Sequence, residues 1–211
     1  LNIQRFVVNP FQENCYIVSD STGEAVIVDC GAFYPEERQA VVNYIRDNGL
    51  TPVHLIATHG HIDHNFGNDT IFSAFGLQPE IHSKDSGLMD RMAEQAMALC
   101  NYKMDNESIP AAAADDDTVE FGNHKFTMLH TPGHTPGSVF FYCEEEKVAF
   151  SGDTLFQMSI GRTDLWQGSY AYIMSSLRHV SQQLPAETTI LPGHGPQTTM
   201  ADELRSNPYL K

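Results

Sequence analysis

The segment Thr58-His59-Gly60-His61-Ile62-Asp63-His64 puts three imidazoles and a carboxylate into six consecutive residues, directly after the apolar run Val53 to Ala57. A strand that empties into such a loop delivers nitrogen and oxygen donors to one point, a set suited to zinc, iron or manganese. His59 and His61 are two residues apart, so they point the same way only from extended backbone. The helical zinc-protease pattern is excluded, because there the histidines sit at i and i+4 with a glutamate beside them. Whatever else it does, this chain has to fold so that a strand end presents a metal loop.

Three later segments repeat the device. Thr131-Pro132-Gly133-His134, Ser151-Gly152-Asp153-Thr154 and Pro192-Gly193-His194-Gly195 each place a metal-binding side chain in a tight Gly- or Pro-containing loop. They follow the strand-like runs Phe126 to Leu129, Val148 to Phe150 and Thr189 to Leu191. Ligands carried at the same ends of several strands converge on one cleft. A lone His134 or His194 reads as an ordinary structural histidine, but beside the first cluster both become candidate ligands.

The periodicity reads in two similar halves. Strands at Ile3 to Val8, Cys15 to Val18 and Ala25 to Val28 lead to a helix from Pro35 to Asp47, with proline at its start and Gly49 beyond its end. Strand Val53 to Ala57, the metal loop, and helical stretches Asn68 to Phe75 and Lys84 to Cys100 follow. The second half has strands Thr118 to Phe121, Lys125 to Leu129, Ser138 to Tyr142 and Val148 to Phe150, a helix Tyr170 to Gln183, and strand Thr189 to Leu191. Met89, Met92 and Met97 read as core filling or groove lining. Asn101 to Asp117, with an alanine run and the acidic triplet Asp115 to Asp117, reads as a surface loop. No Pro/Gly/Ser-rich linker separates the ligand groups, so one domain over 1–211 is expected.

With His59, His61, Asp63 and His64 followed in order by His134, Asp153 and His194, the chain resembles the metallo-β-lactamase-fold hydrolases from about Asn9 onward. Within them it is most similar to the hydroxyacylglutathione hydrolase (glyoxalase II) branch, through Asn9-Pro10-Phe11-Gln12-Glu13-Asn14, Thr131 to Ser138, and Gly152-Asp153-Thr154-Leu155-Phe156. The resemblance implies an α+β fold, a four-layer αβ/βα sandwich. It implies that His59, His61 and His134 hold one metal, that Asp63, His64 and His194 hold the other, and that Asp153 bridges them. Two divalent ions, zinc first with iron or manganese as alternatives, are the implied cofactors. Charge counting then leaves one net positive charge after Asp63, Asp153 and a bridging hydroxide, enough to stabilise an oxyanion, while coordination brings the pKa of water to roughly 7. Asp29, ending the run Ala25 to Val28, reads either as a support for the metal loop or as a turn former before Cys30-Gly31.

The implied substrate is a small thioester, glutathione-derived in the parent branch. Arg162, in Ser159-Ile160-Gly161-Arg162-Thr163-Asp164, stands where glutathione-using members hold a substrate carboxylate with a basic residue, a task suited to arginine. Thr163-Asp164 replaces the aromatic contact found there in the branch, and the chain stops at Lys211 without the branch's C-terminal helical domain. Two other activities share this fold: a persulfide dioxygenase using one iron, similar around Gly161-Arg162-Thr163-Asp164, and a lactonase or other ester hydrolase. Retention of the full ligand set favours hydrolysis.

A net charge of −15, from 27 acidic and 12 basic residues, argues against nucleic-acid binding through a basic patch. No apolar run approaches the roughly 20 residues of a membrane span, and no basic segment with an apolar core opens the chain, so a cytoplasmic protein without membrane partners is expected. Cys15, Cys30, Cys100 and Cys143 lack framework spacing and read as reduced thiols, with Cys30 near enough to Asp29 to be weighed for a catalytic role.

Overall fold

Period-two alternation sets the layers. In the computed structural model, which describes residues 1–104 and 109–211, strands β1 (Asn2–Val8), β2 (Glu13–Ser19) and β3 (Glu24–Val28) form an antiparallel meander. Strands β4 (Thr51–Ile56), β5 (Pro79–Ile81) and β6 (Ala112–Ala113) extend it in parallel, in the order β1-β2-β3-β4-β5-β6. The parallel steps are bridged by helix α1 (Pro35–Asp47), then α2 (Asn68–Phe75), then α3 (Ser86–Met89) with α4 (Met92–Cys100). A second sheet is built from β7 (Thr118–Phe121), β8 (His124–His130), β9 (Val139–Cys143) and β10 (Val148–Gly152), all antiparallel. After a small hairpin, β11 (Leu155–Phe156) and β12 (Ser159–Ile160), helix α5 (Tyr170–Gln183) returns the chain to β13 (Thr189–Pro192), parallel to β10. Strand β14 (Thr198–Thr199) closes the edge, and helix α6 (Met200–Ser206) follows.

Alternate residues of each strand serve different cores. Tyr16, Val18, Val26, Val28 and Ile56 pack against Phe126, Phe141, Phe150 and Leu191 between the sheets. Their neighbours Cys15, Ile17, Ala25, Ile27 and Leu55 face outward against Val41 and Ile45 of α1 and Ile71 of α2. On the far side Phe140, Tyr142, Ala149 and Ile190 cover Ile173, Leu177 and Val180 of α5. The result is the four-layer αβ/βα sandwich expected from the resemblance. Aromatic rings fill the central layer, with Phe150 5.2 Å from Tyr16 and 5.5 Å from Phe126 in edge-on contacts.

Helices α1, α2 and α5 lie where the periodicity places them. The stretch Lys84 to Cys100 does not form one helix: it opens with a 3-10 turn (Ser83–Asp85) and breaks between α3 and α4. The Leu88 carbonyl accepts from Arg91 N–H and from the Gln95 side-chain amide, so it is spent before a continuous helix can use it. Of Asn101 to Asp117, residues 105–108 lie outside the described ones, and Ala112–Ala113 is β6 rather than loop. An unpaired edge at β5 accepts any extended backbone, and two alanines carry no alternation that announces it. Met89 and Met92 are buried as expected, whereas Met97 is exposed.

The sheets are also stitched by polar contacts. His54 Nδ1 on β4 lies 2.8 Å from Glu80 Oε1 on β5, and its Nε2 3.1 Å from the Glu120 carbonyl of the second sheet. The hydrogen bond to Glu80, with the charge of Glu80 and against partial burial, raises the His54 pKa. A raised folded pKa contributes stability that is fully present below the unfolded value near 6.5 and is lost as pH rises through the folded value. Glu80→Gln is therefore expected to lower stability at about pH 6 and to be close to neutral at about pH 9, read by urea unfolding at both. An equal cost at the two pH values would mean that the pair contributes by packing alone.

Candidate metal centre

Strands β8, β10 and β13 run the same way in the second sheet, and the loops after them meet the loop that follows β4 at one edge. All seven expected ligands meet there. His134 Nε2 lies 2.9 Å from His61 Nδ1 and 3.2 Å from His59 Nε2. Asp63 Oδ2 is 3.3 Å from His194 Nε2 and 3.8 Å from His64 Nε2. Asp153 stands between these sets: Oδ1 is 3.4 Å from His64 Nε2, and Oδ2 is 3.6 Å from both His134 Nε2 and His194 Nε2.

Four of the five rings are committed on their outer sides. His134 Nδ1–H donates to the Arg162 carbonyl at 2.8 Å, and His194 Nδ1–H to the Phe11 carbonyl at 3.0 Å. His64 Nδ1–H donates to Asp29 Oδ2 at 3.0 Å. The Thr58 hydroxyl donates to the same Asp29 oxygen at 2.7 Å, which leaves its lone pair 3.1 Å from His59 Nδ1–H. These bonds turn Nε2 of His59, His64, His134 and His194 inward, the arrangement that orients metal-ligating histidines. His64 Nε2 and Asp153 Oδ1 are buried with no hydrogen-bond partner.

The protonation states suit cations. Burial, reinforced by neighbouring imidazoles, drives the His59 pKa well below its usual value and that of His61 down to about 3, so both rings are neutral. Burial works to raise Asp63 and Asp153, but the charge on His64, joined by that on His194 and by the His194 hydrogen bond to Asp63, wins, and both carboxyls stay ionised at neutral pH. Burial likewise opposes charge on His64 and His194, yet the carboxylates of Asp63 and Asp153 raise both. A cation entering here displaces those protons, so its affinity falls with pH. Buried imidazole nitrogens and carboxylate oxygens that converge at one point, with His64 Nε2 and Asp153 Oδ1 left without hydrogen-bond partners, are the donor set of a divalent metal, and the residues present fit that group.

Support comes from side chains of several elements. Asp29 fulfils both readings offered for it: it turns the chain at φ 53° and accepts from Thr58 N–H and Thr58 O–H at 2.7 Å and from His64. Asn9 donates to the Gly31 and Asp63 carbonyls, and Asn14 to the Pro192 and Gly195 carbonyls, so the Asn9 to Asn14 segment anchors both second-set loops. Gly193 is required because a Cβ there would overlap Asp153 Oδ1 and the His64 ring. Asn65, which donates to the His59 and His61 carbonyls, Gln95, which bonds Gly60 and Ile62, and the buried Glu13 carboxyl near His64 carried no signal beyond their place near the motifs. Arg162 lies next to the centre through its main chain, while its guanidinium is exposed and doubly bonded to Asp164 at 2.7 and 2.8 Å. Cys30 is buried, its sulfur facing Gly67, and all four cysteines are free.

Residues 8–194 match the family model of the metallo-beta-lactamase superfamily. The chain is 35% identical to a protein of Haemophilus influenzae named hydroxyacylglutathione hydrolase GloC, covering 100% of this chain and 98% of that one. Among solved structures it superposes on BLEG-1 B3 metallo-beta-lactamase with a TM-score of 0.89 at 32% identity, each chain covered in full (100%). It also superposes on a di-iron-bound form of TTHA1623 with a TM-score of 0.86 at 35% identity, covering 98% of this chain and 100% of that one. The chain therefore belongs to the metallo-beta-lactamase superfamily. Its catalytic class is that of the metal-dependent hydrolases. No helix among the described residues is long and apolar enough to cross a membrane.

Asp29 fixes the tautomers of His59 and His64 together, so its replacement reaches both ligand sets. Asp29→Asn is expected to weaken zinc binding about 10–100-fold, measured by competition with a chromophoric chelator. Wild-type affinity in that variant would reduce Asp29 to a turn former.

Proposed function

We propose that the chain is a dinuclear thioester hydrolase of the hydroxyacylglutathione type. The observation that carries this reading is Asp153, whose two oxygens face the His59/His61/His134 set and the Asp63/His64/His194 set together. Two divalent cations there, zinc in our reading, would lower the pKa of bound water to about 7 and polarise an acyl oxygen. The chain's own contribution is placement. Asp63 and Asp153 supply negative charge at the centre, the outer hydrogen bonds of the histidines lock the rings, and the apolar layer beneath excludes water from behind. A thiolate leaving group, with a thiol pKa near 8.5, departs near neutral pH with little need for protonation. The full-length similarity to a hydroxyacylglutathione hydrolase supports a thioester as the small-molecule partner.

The rival reading is oxidation of a persulfide at one iron, and the metals separate the two. Zinc has no accessible redox change, so a zinc-loaded hydrolase turns over whatever the oxygen level. We expect the zinc-loaded protein to cleave S-lactoylglutathione or a related thioester under anaerobic conditions, read as free thiol released, and Asp153→Ala to lose rate and metal content together. Activity that appears only with iron, consumes dioxygen in step with glutathione persulfide and spares thioesters would replace the hydrolase with the dioxygenase.

Arg162 is the proposed contact for a substrate carboxylate, and Asp164 already occupies its fork. The pair is exposed on both sides, so a substrate displaces Asp164 at small cost. Arg162→Ala is expected to raise KM for glutathione thioesters about 10-fold more than for small neutral thioesters, and Asp164→Asn to lower KM for the charged ones. Equal changes on both substrate classes would leave Arg162 with only its main-chain role.

A further inference from the structure

Asp85 bonds to both loops of the three-histidine set, and its side chain is fully buried. It comes from the 3-10 turn between β5 and α3, a segment that carries no ligand. One carboxylate oxygen accepts the Gly60 N–H at 2.9 Å and the Thr135 hydroxyl at 2.6 Å; the other accepts the Gly137 N–H at 2.6 Å. Gly60 stands between His59 and His61, and Thr135 and Gly137 follow His134. Neither glycine tolerates a side chain: a Cβ on Gly137 would lie 2.6 Å from Asp85 Cγ, and one on Gly60 2.7 Å from Leu88 Cβ, with Asp85 Cβ at 3.3 Å.

Resting on the reading of the centre as two cation sites, we propose that Asp85 is a positioning residue for one of them. It braces the His59–His61 backbone to the His134 turn and so sets the affinity of the three-histidine set alone. Proton order supports the role. Three donors point at Asp85, so the Thr135 hydroxyl is committed to it; the Ser138 hydroxyl then donates to Thr135 Oγ1 at 2.7 Å while accepting the Thr135 N–H at 3.0 Å. The turn behind His134 thus has one hydrogen-bonding pattern, dictated from Asp85. Within the Thr58–His64 loop the bond of Asp85 falls at Gly60, between two members of the three-histidine set, and none of its bonds is to His64 or to the loops of Asp153 and His194, whereas Asp29 touches His64 directly and His59 through Thr58.

Asparagine at position 85 keeps the size but turns an NH2 group toward a donor, so at least one of the three bonds is lost. The test is a zinc titration of the full chain, followed by the ring-nitrogen NMR shifts of the individual histidines, for wild type, Asp85→Asn, Thr135→Val and Asp29→Asn. The expected result is that His59, His61 and His134 in Asp85→Asn respond only at about 10–100-fold higher zinc, while His64 and His194 respond as in wild type. Thr135→Val, which removes one donor and tests the brace if Asp85→Asn does not fold, should shift the same set in the same direction by a smaller factor. Asp29→Asn should shift both sets. Two sets that weaken together in Asp85→Asn or Thr135→Val, or an unchanged three-histidine set, would overturn the brace and leave the two-cation reading standing. A wild type in which only the three-histidine set responds would overturn the two-cation reading and still test the brace. Zinc that never perturbs His59, His61 and His134 overturns both.

Discussion

Attraction inside the centre is confined to the pairing of Asp63 and Asp153 with His64 and His194. His59 Nε2 and His134 Nε2 aim lone pairs at one another across 3.2 Å, His61 Nδ1 crowds His134 Nε2 at 2.9 Å, and Asp63 and Asp153 add anionic oxygens within a few ångströms. Left to themselves these groups would separate or take up protons. Their convergence is imposed from outside, by hydrogen bonds on the far side of each ring and by backbone that has no freedom to relax. The energy of the inter-sheet core is what holds the donors together until a cation neutralises them.

The core delivers that constraint over a short reach. Ile56, Phe150 and Leu191 are buried in the inter-sheet layer, and the ligands His59, Asp153 and His194 each lie three residues further along the chain. With so few rotatable bonds between a packed anchor and a ligand, the position of the ligand is set largely by the sheet. Tight approach of the loops completes it. At Gly152, φ is 47°, and a Cβ would strike the Thr58 side chain, so the β10 end presses directly on the start of the metal loop.

Much of this was legible because the deciding signals are local. The two-residue spacing of His59 and His61, the proline and glycine around Pro35 and Gly49, and the alternation through Cys15 to Val18 each report on the conformation of their own segment. The seven ligands could be collected because each sits in a loop with a recognisable strand before it. The elements that were missed take their structure from elsewhere. Strand β6 exists because β5 offers an open edge, the helix expected from Lys84 to Cys100 breaks where Leu88 and Gln95 bond across the turn, and Met97 is exposed on the helix that buries Met92. Asp85 illustrates the limit best. In the sequence it is one acid in a polar turn, and only the fold brings Gly60, Thr135 and Gly137 to it.

The Gly161-Arg162 segment shows how one short motif serves two masters. A Cβ at Gly161 would overlap the Asp153 carbonyl, and the Arg162 carbonyl fixes the His134 ring, so both residues are required at the main-chain level by the centre itself. The guanidinium is independent of that duty: it lies in solvent, paired to Asp164. The main-chain role of Gly161-Arg162 is therefore independent of the substrate. In the function proposed here, chemistry would divide according to which cations fill the two donor sets, and substrate choice according to what displaces Asp164 from the arginine fork.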